Sequence, residues 1–531
     1  MNSIKLSEEQ QKIIDCNNNL VVLADPGSGK TTTLAFKIAK ELKALKEYQG
    51  IIAISYTNKA SKELKDRTSD IISDLKNSFF GTIDKFYISE IIIPFSKIIY
   101  NIKNDFEVVN QKDNEYSYLL EITNDVELFN EILICLKNGK IVLNYISKIA
   151  NYIFDNSIEC RKYLKARYKF ICIDEYQDCN QDKHSLFLKL TSIGIIGIAV
   201  GDPNQSIFAF AGSSPSYIFN LVSNEDFSVF QLSVNRRSHE SIVKYALKFI
   251  RPSEQIEPVE DSRVFGIKIN GDESQVSFWI DNHIDNIIKL YNINNYSDIC
   301  ILTRGGHTAR AISETLKIPN IYYCNTPIDE STTDVDIIGK QLILYILDND
   351  IYLENIFEDY LPNIKAKQRN KCISKLKDIK LDYIKNSTIN TEKFLEVIYD
   401  LFGKESYIEN ISAVLENELF LNSFKPLDKK KVSVMTIHKS KGLEFKITIV
   451  LDLHKWIIPS YNFQNKVYNN IDECRCIHYV SITRAKELVI LIYNTKRHNS
   501  KGEIKDGVYS EFIDPTVRND LIIYRNKKGH F

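Results

Sequence analysis

Directly after the apolar run LVVLA (20–24) stands DPGSGKTTT, from Asp25 through Thr33, a stretch suited to holding phosphate. Gly27 and Gly29 let the backbone of Asp25, Pro26 and Ser28 curl around an anion, and a helix opening at Lys30, Thr31 and Thr32 aims its free N–H groups at the same point. Lys30 can reach the β- and γ-phosphates, and the Thr31 hydroxyl is a ligand for Mg²⁺. The general phosphate-loop pattern asks for glycine where Ala24 stands, so its strict form is not met.

The second half of such a site is a carboxylate at the end of another buried strand, and ICIDEYQD supplies it. Asp174 is expected to hold Mg²⁺ through water, and Glu175 to orient or deprotonate the water that attacks phosphorus. Taken alone, the segment also reads as a helix N-cap with acidic first-turn residues.

These loops need strands to carry them. Nearly continuous apolar runs recur at 20–24, 51–55, 170–174, 195–200, 432–436 and 488–493, as strands buried on both faces require. Helix-like stretches such as 31–46 and 58–72 lie between them, so the reading is α/β with parallel sheets. The runs fall into two groups, before 240 and after 430, and hence two such domains. Segments 96–160 and 341–424 have helical spacing, and 341–402 contains no glycine.

The order of motifs resembles the superfamily 1A helicases of the UvrD/Rep type. That family commonly has alanine at the place of Ala24 and glycine at the place of Asp25, so Asp25 is the departure. LSEEQ resembles its Q motif, with Gln10 placed to read adenine; a solvated helical glutamine is the plainer reading. YTNKASKELKDR resembles motif Ia, with Tyr56, Thr57 and Asn58 as strand contacts, and GTIDKF motif Ib, with Thr82 and Lys85; Asp84 stands where histidine is usual. GDPNQSIFAFAG resembles motif III: Gln205 would sense the γ-phosphate, and Phe208 and Phe210 would stack on bases, where on general grounds such aromatics are core.

LSVNRRSHESIV resembles the pattern opening the second motor domain, with Arg237 meeting the γ-phosphate and Arg236 replacing an aromatic that stacks on adenine. VSVMTIHKSKGLEF resembles motif V, giving Thr436 and His438 as strand contacts and Glu444 as a ribose contact. ECRCIHYVSITRAKELVIL resembles motif VI, with Arg484 as an arginine finger. The resemblance implies two RecA-like P-loop motor domains, each carrying a mainly helical insertion: 1–90 with 161–231, insertion 91–160; and 232–335 with 425–531, a reduced insertion 336–424. It also implies ATP and Mg²⁺ as cofactors, ATP lying between the motor domains, DNA as the track and 3′ to 5′ movement. The short second insertion, glycine-free from 341 to 402, favours translocation or strand-dependent ATP hydrolysis over strong unwinding.

Compact chains of this type resemble the helicase-like subunits of the Gabija anti-phage defence system. The echoes are GTIDKFYISEIIIPF (81–95), ARYKFICIDEYQDCNQDKHSLF (166–187) and NTPIDESTTDVD (325–336). This implies an OLD-family, TOPRIM-containing nuclease partner in a hetero-oligomer. A stand-alone repair helicase and a nucleotide-switched scaffold with little turnover remain open beside it.

Lys plus Arg total 68 against 69 Asp plus Glu, so a nucleic-acid surface must be a local patch. Two basic runs, 161–169 and 365–380, are either duplex-binding patches or solvated helix faces. The ten cysteines have no metal-binding spacing, and no apolar run approaches the length of a membrane span; the expectation is a cytoplasmic protein with reduced thiols.

Overall fold

The computed structural model describes residues 6–102, 106–109, 115–208, 212–251, 256–257, 259–331, 333–361, 364–403, 406–462, 464–465, 467–499, 501–513 and 523–525. The chain divides into two compact units, Met1–Ser238 and His239–Phe531.

The first unit opens with helix α1 (Glu8–Asp15), then strand β1 (Leu20–Ala24), helix α2 (Lys30–Leu42), β2 (Gly50–Ser55), helix α3 (Asn58–Ser69) and β3 (Phe79–Thr82). Two short strands, β4 (Glu107–Val109) and β5 (Lys140–Val142), pair in parallel within the stretch expected to be helical. β6 (Tyr168–Ile173), β7 (Ile196–Gly201) and β8 (Ser228–Leu232) complete a six-stranded, wholly parallel sheet of order β3-β2-β6-β7-β1-β8. The apolar runs are strands because both faces are covered. On one face Leu34, Ile38 and Leu64 pack with Val22, Ile51 and Cys172. On the other, Ile132, Ile149 and Phe154 of the first insertion share a core with Ile54, Ile171 and Ile173, so that insertion leans on the sheet rather than standing apart from it.

In the second unit β9 (Val264–Ile269), β10 (Ile299–Thr303), β11 (Asn320–Tyr323), β12 (Val432–Thr436) and β13 (Phe445–Val450) are joined by β16 (Ala485–Asn494) and β19 (Ile523–Arg525). They form a seven-stranded parallel sheet of order β11-β12-β10-β13-β16-β9-β19. The small antiparallel pairs are β14 (Tyr461–Asn462) with β15 (Val467–Tyr468) and β17 (Lys496–His498) with β18 (Ile504–Asp506). Helix Glu273–Leu290, capped by Asp272 and Gln275, lays Val276, Ile280 and Ile284 against the strands. Between β11 and β12 a set of helices builds a separate core running from Ile328 to Phe424, centred on Leu342, Phe394 and Ile411. Its longest member, Ala366–Asn386, is regular over 21 residues, as a glycine-free stretch allows.

The segment 232–238, expected to open the second domain, falls in the first unit, because β8 ends the first sheet and the residues after it bond to the loop following β1. Among the described residues no helix is long and apolar enough to cross a membrane.

Candidate functional site

In a parallel sheet every strand delivers its carboxyl end to one edge, and that edge is where ligands collect. In the first unit Ala24, Ser55, Thr82, Ile173, Gly201 and Leu232 all end there, so the motif residues following each strand gather at one edge although more than two hundred residues separate the first from the last in sequence.

The loop after β1 turns at Gly27 (φ +70°) and Gly29 (φ +85°), left-handed positions that favour glycine. Ser28 closes the turn by donating its hydroxyl to the Asp25 carbonyl at 2.6 Å. The segment after β8 clasps the loop from outside. Asn235 Nδ2 donates to the Pro26 carbonyl (2.6 Å), Arg236 N to that of Gly27 (2.9 Å) and Arg236 Nη1 to that of Ser28 (3.0 Å). Asn235 Oδ1 accepts from the N–H groups of Arg237 and Ser238, both at 2.8 Å. The Arg236 guanidinium, expected to stack on a base, is engaged with the loop backbone.

Against this loop stand the acids. Lys30 Nζ lies 3.1 and 3.0 Å from the two oxygens of Glu175, and Thr31 Oγ1 donates to Asp174 Oδ2 at 3.2 Å. Glu175 adopts φ +56°, a left-handed turn that points its carboxylate across the sheet edge, and its N–H bonds Asp174 Oδ1 at 2.9 Å. A relay leads onward: Gln177 Nε2 donates to Glu175 (2.6 Å), Gln177 Oε1 accepts from Asp202 N (3.0 Å), and Gln205 Nε2 donates to Asp202 Oδ2 (2.7 Å). Burial, helped by the neighbouring Glu175, raises the Asp174 carboxyl to about 6. Burial, opposed chiefly by Lys30, raises Asp202 to about 6. For Lys30 burial pulls downward, but Glu175, then Asp174 and Asp202, outweigh it and hold its pKa above the usual lysine value. The site is a buried acidic cluster around the Lys30 ammonium.

Gln10 is 5% exposed, so it is not the solvated helical glutamine of the plainer reading. Its Oε1 accepts from Ser7 N (3.0 Å) in a capping box, and its Nε2 is turned toward the loop, 2.9 Å from where a Cβ on Gly29 would lie. Two neighbours have no signal in the sequence. Arg67 Nη1 donates to Thr32 Oγ1 at 3.0 Å. Lys37, fully buried, binds the carbonyls of Ile14 and Cys16 at the end of α1 and the carboxylate of Glu41. A lysine within a helix reads as solvent-facing until the packing of α1 on α2 is known.

In the first unit the residues expected to touch nucleic acid lie at or just beyond the ends of β2, β3 and β7. Thr57 and Thr82 cap helices, accepting from the N–H groups of Ala60 (3.1 Å) and Lys85 (3.4 Å), which leaves each hydroxyl hydrogen to be donated elsewhere. The Tyr56 ring packs on the core with Lys183 Nζ 5.2 Å from its centre, and Lys183 also pairs with Asp84 at 3.7 Å. Phe208 is half-buried. Phe210 and the side chain of Asn58 lie outside the described residues.

In the second unit the expected residues separate onto two edges of the sheet. Thr436 ends β12 at the carboxyl edge; His438 Nδ1 is 3.5 Å from Arg304 Nη1, just beyond β10. Asp452, just beyond β13, accepts from Arg304 N (2.9 Å), Gly305 N (3.2 Å) and Thr308 Oγ1 (2.8 Å). Neither Arg304 nor Asp452 belongs to a motif read from the sequence. Glu444 and Arg484 precede β13 and β16 at the amino edge, where Arg484 Nη1 donates to the Leu443 carbonyl (3.3 Å), Phe445 N bonds the Arg484 carbonyl (2.9 Å) and Lys486 pairs with Glu444 (2.9 Å).

Several residues of both basic runs are engaged within the fold. Lys371 and Lys375 pair with Asp400, Lys375 also with Glu396, and Lys380 donates to the carbonyls of Tyr345 and Asp348. Arg161 bonds the carbonyls of Phe154 and Asp155, and Arg167 pairs with Glu90 at 2.7 Å.

Comparison with known proteins agrees with this geometry. An AAA domain model matches residues 10–211, and a UvrD-like helicase C-terminal domain model matches 230–330 and 343–496. The Gabija protein GajB of Bacillus cereus (strain VD045) is 29% identical over 508 residues, covering 92% of this chain and 96% of that protein. The ATP-dependent DNA helicase Rep of Buchnera aphidicola subsp. Acyrthosiphon pisum (strain APS) is 23% identical, covering 98% and 99%. The ATP-dependent DNA helicase PcrA of Staphylococcus aureus (strain Mu50 / ATCC 700699) is 23% identical, covering 92% and 83%.

Proposed function

The chain belongs to the UvrD-like helicases, and on that premise we propose that this ATP-dependent enzyme works as a compact, DNA-stimulated translocase, moving 3′ to 5′ on single strands or acting at DNA ends. The observation that carries the reading is the convergence of Lys30, Thr31, Asp174, Glu175 and Gln205 at one sheet edge. Lys30 would give up its bond to Glu175 to bind the β- and γ-phosphates, freeing Glu175 to orient water, with Gln205 following the γ-phosphate through Asp202 and Gln177. Arg237 and Arg484 are assigned to charge on the transferred phosphoryl group, Gln10 and Arg236 to the base side, and Glu444 to the ribose.

The Thr31 hydroxyl and the Asp174 carboxylate, 3.2 Å apart and hard oxygen donors, fit Mg²⁺, which would neutralise phosphate charge when bound. Among the described residues no group of three or more His, Cys, Asp or Glu forms a metal cage, and a cation shared with phosphates and water needs none.

Tyr56, Thr57, Asn58, Thr82, Lys85, Phe208, Phe210, Thr436 and His438 are assigned to DNA. The likeness to the Gabija protein supports a role in anti-phage defence, which we place in the cytoplasm beside an OLD-family TOPRIM nuclease. The test is ATP hydrolysis by wild type and Lys30→Ala with no nucleic acid, single-stranded DNA, blunt duplex and RNA. Stimulation by DNA that disappears in the variant supports a DNA motor. Equal, negligible rates with and without nucleic acid, also after adding the nuclease, would leave a scaffold. Efficient unwinding of a long tailed duplex by the isolated chain would refute the translocase preference.

A further inference from the structure

The carboxylate of Asp329 stands at a junction within the second unit. It closes a capping box, accepting from Thr326 N at 3.0 Å and Thr326 Oγ1 at 3.2 Å, so its position is set by the short helix Pro327–Glu330. One oxygen pairs with Lys340 Nζ at 2.6 Å, at the root of the helical insertion, and the other with Lys439 Nζ at 3.2 Å. Lys439 also donates to the Cys324 carbonyl, which fixes its side chain at two points. Lys439 is the residue after His438, and its backbone N–H bonds Thr436 Oγ1 at 3.4 Å. The turn is held by Ile437 N to the Thr303 carbonyl (2.9 Å) and Leu443 N to the Ser440 carbonyl (2.9 Å), and Gly442 reverses it at φ +82°. Asp329 is therefore paired with both the loop that presents Thr436 and His438 and the first long helix of the insertion.

We propose that Asp329 is a positioning residue for single-strand binding: by anchoring Lys439 it fixes the 436–442 turn, and through Lys340 it ties that turn to the insertion. A charge-assisted bond of this kind is short and directional, and its loss lets the Lys439 side chain swing and the turn relax. The inference rests on the assignment of Thr436 and His438 to DNA. It does not follow from charge, because removing a carboxylate near lysines by itself strengthens phosphate binding.

The experiment is DNA-stimulated ATP hydrolysis of the full chain with single-stranded oligothymidine at constant salt, for wild type, Asp329→Asn, Asp329→Glu, Lys439→Met and the double variant Asp329→Asn/Lys439→Met. In Asp329→Asn and Lys439→Met the oligonucleotide concentration giving half-maximal stimulation is expected to rise about tenfold, with the DNA-free rate and the rate at saturating DNA unchanged. Asp329→Glu is expected to restore most of the shift, and the double variant to match the single ones. A wild-type half-saturation or tighter binding in Asp329→Asn overturns the inference, as do additive losses in the double variant. A wild-type enzyme that is not stimulated by DNA overturns the functional reading, and this inference with it.

Discussion

Lys30 Nζ and the Glu175 carboxylate are in bidentate contact, at 3.1 and 3.0 Å, across the edge of the first sheet. In the proposed mechanism the lysine that would hold phosphate and the carboxylate that would hold water thus neutralise one another, and nucleotide binding would separate them. Lys30→Ala is expected to lower ATP hydrolysis at least about a hundredfold by losing charge stabilisation. Glu175→Gln is expected to lower kcat by about 10²–10⁴-fold while nucleotide affinity is retained. Steady-state kinetics with a fluorescent nucleotide titration separates the two effects; a Glu175→Gln enzyme of normal kcat removes Glu175 from the chemistry.

Gly27 has no room for a side chain. A Cβ there would lie 2.6 Å from Arg237 Cβ, and the residue has φ +70°. Gly27→Ala is expected to add about 1–2 kcal/mol of backbone strain and to push the Asn235–Arg237 clasp away from the loop. Nucleotide affinity should fall about tenfold or more while far-ultraviolet dichroism stays native. Unaltered affinity would mean that the clasp does not shape the loop.

Phe208 and Tyr56 are both assigned to the DNA strand. Phe208 is half-buried beyond β7, and Tyr56, also half-buried, packs on the core with Lys183 over its ring. Phe208→Ala is expected to cost about 1–3 kcal/mol of single-strand affinity with little change in thermal midpoint. Tyr56→Ala is expected to lower the midpoint as well, since it also removes core contacts. Oligonucleotide titration beside thermal unfolding distinguishes them, and a large midpoint loss in Phe208→Ala would make that ring a core residue.

Asp202 gives the nucleotide-free protein a pH dependence. Burial, ahead of the opposing Lys30, raises its carboxyl from 3.8 to about 6. The native state therefore holds the proton that the unfolded chain has released, and the associated stability is full below 3.8 and lost as pH rises through about 6. Its size is roughly 3 kcal/mol. Asp202→Asn, neutral throughout, is expected to flatten this part of the curve between about pH 4 and 6. Urea midpoints of the two proteins across that window check it, and parallel curves would contradict the assignment.

Much of the nucleotide site was legible in the chain because its parts are local. A strand, two glycines at left-handed turns and the Lys30–Thr31 helix start follow one another without interruption, and Asp174 and Glu175 end another apolar run. The strands were legible for a related reason, since burial on both faces leaves an unbroken apolar signature, as at 20–24 and 432–436. The short pair β4 and β5 was missed because three-residue strands leave almost no period to read.

What the chain alone determined was therefore the local character of each segment: a glycine-turned loop before a helix, a carboxylate pair after a buried strand, and the strands of two parallel sheets. Which residues become neighbours was decided by tertiary structure. Only parallel strand order brings Thr31 to Asp174 across 143 positions and divides Thr436 from Arg484 onto opposite sheet edges. Only packing turns Lys37 inward, commits Arg236 to the loop carbonyls and gathers Lys340 and Lys439 around Asp329. The physical reason is that side-chain hydrogen bonds and ion pairs carry no sequence period. They depend on distances of a few ångströms that are set once the apolar faces have found their partners.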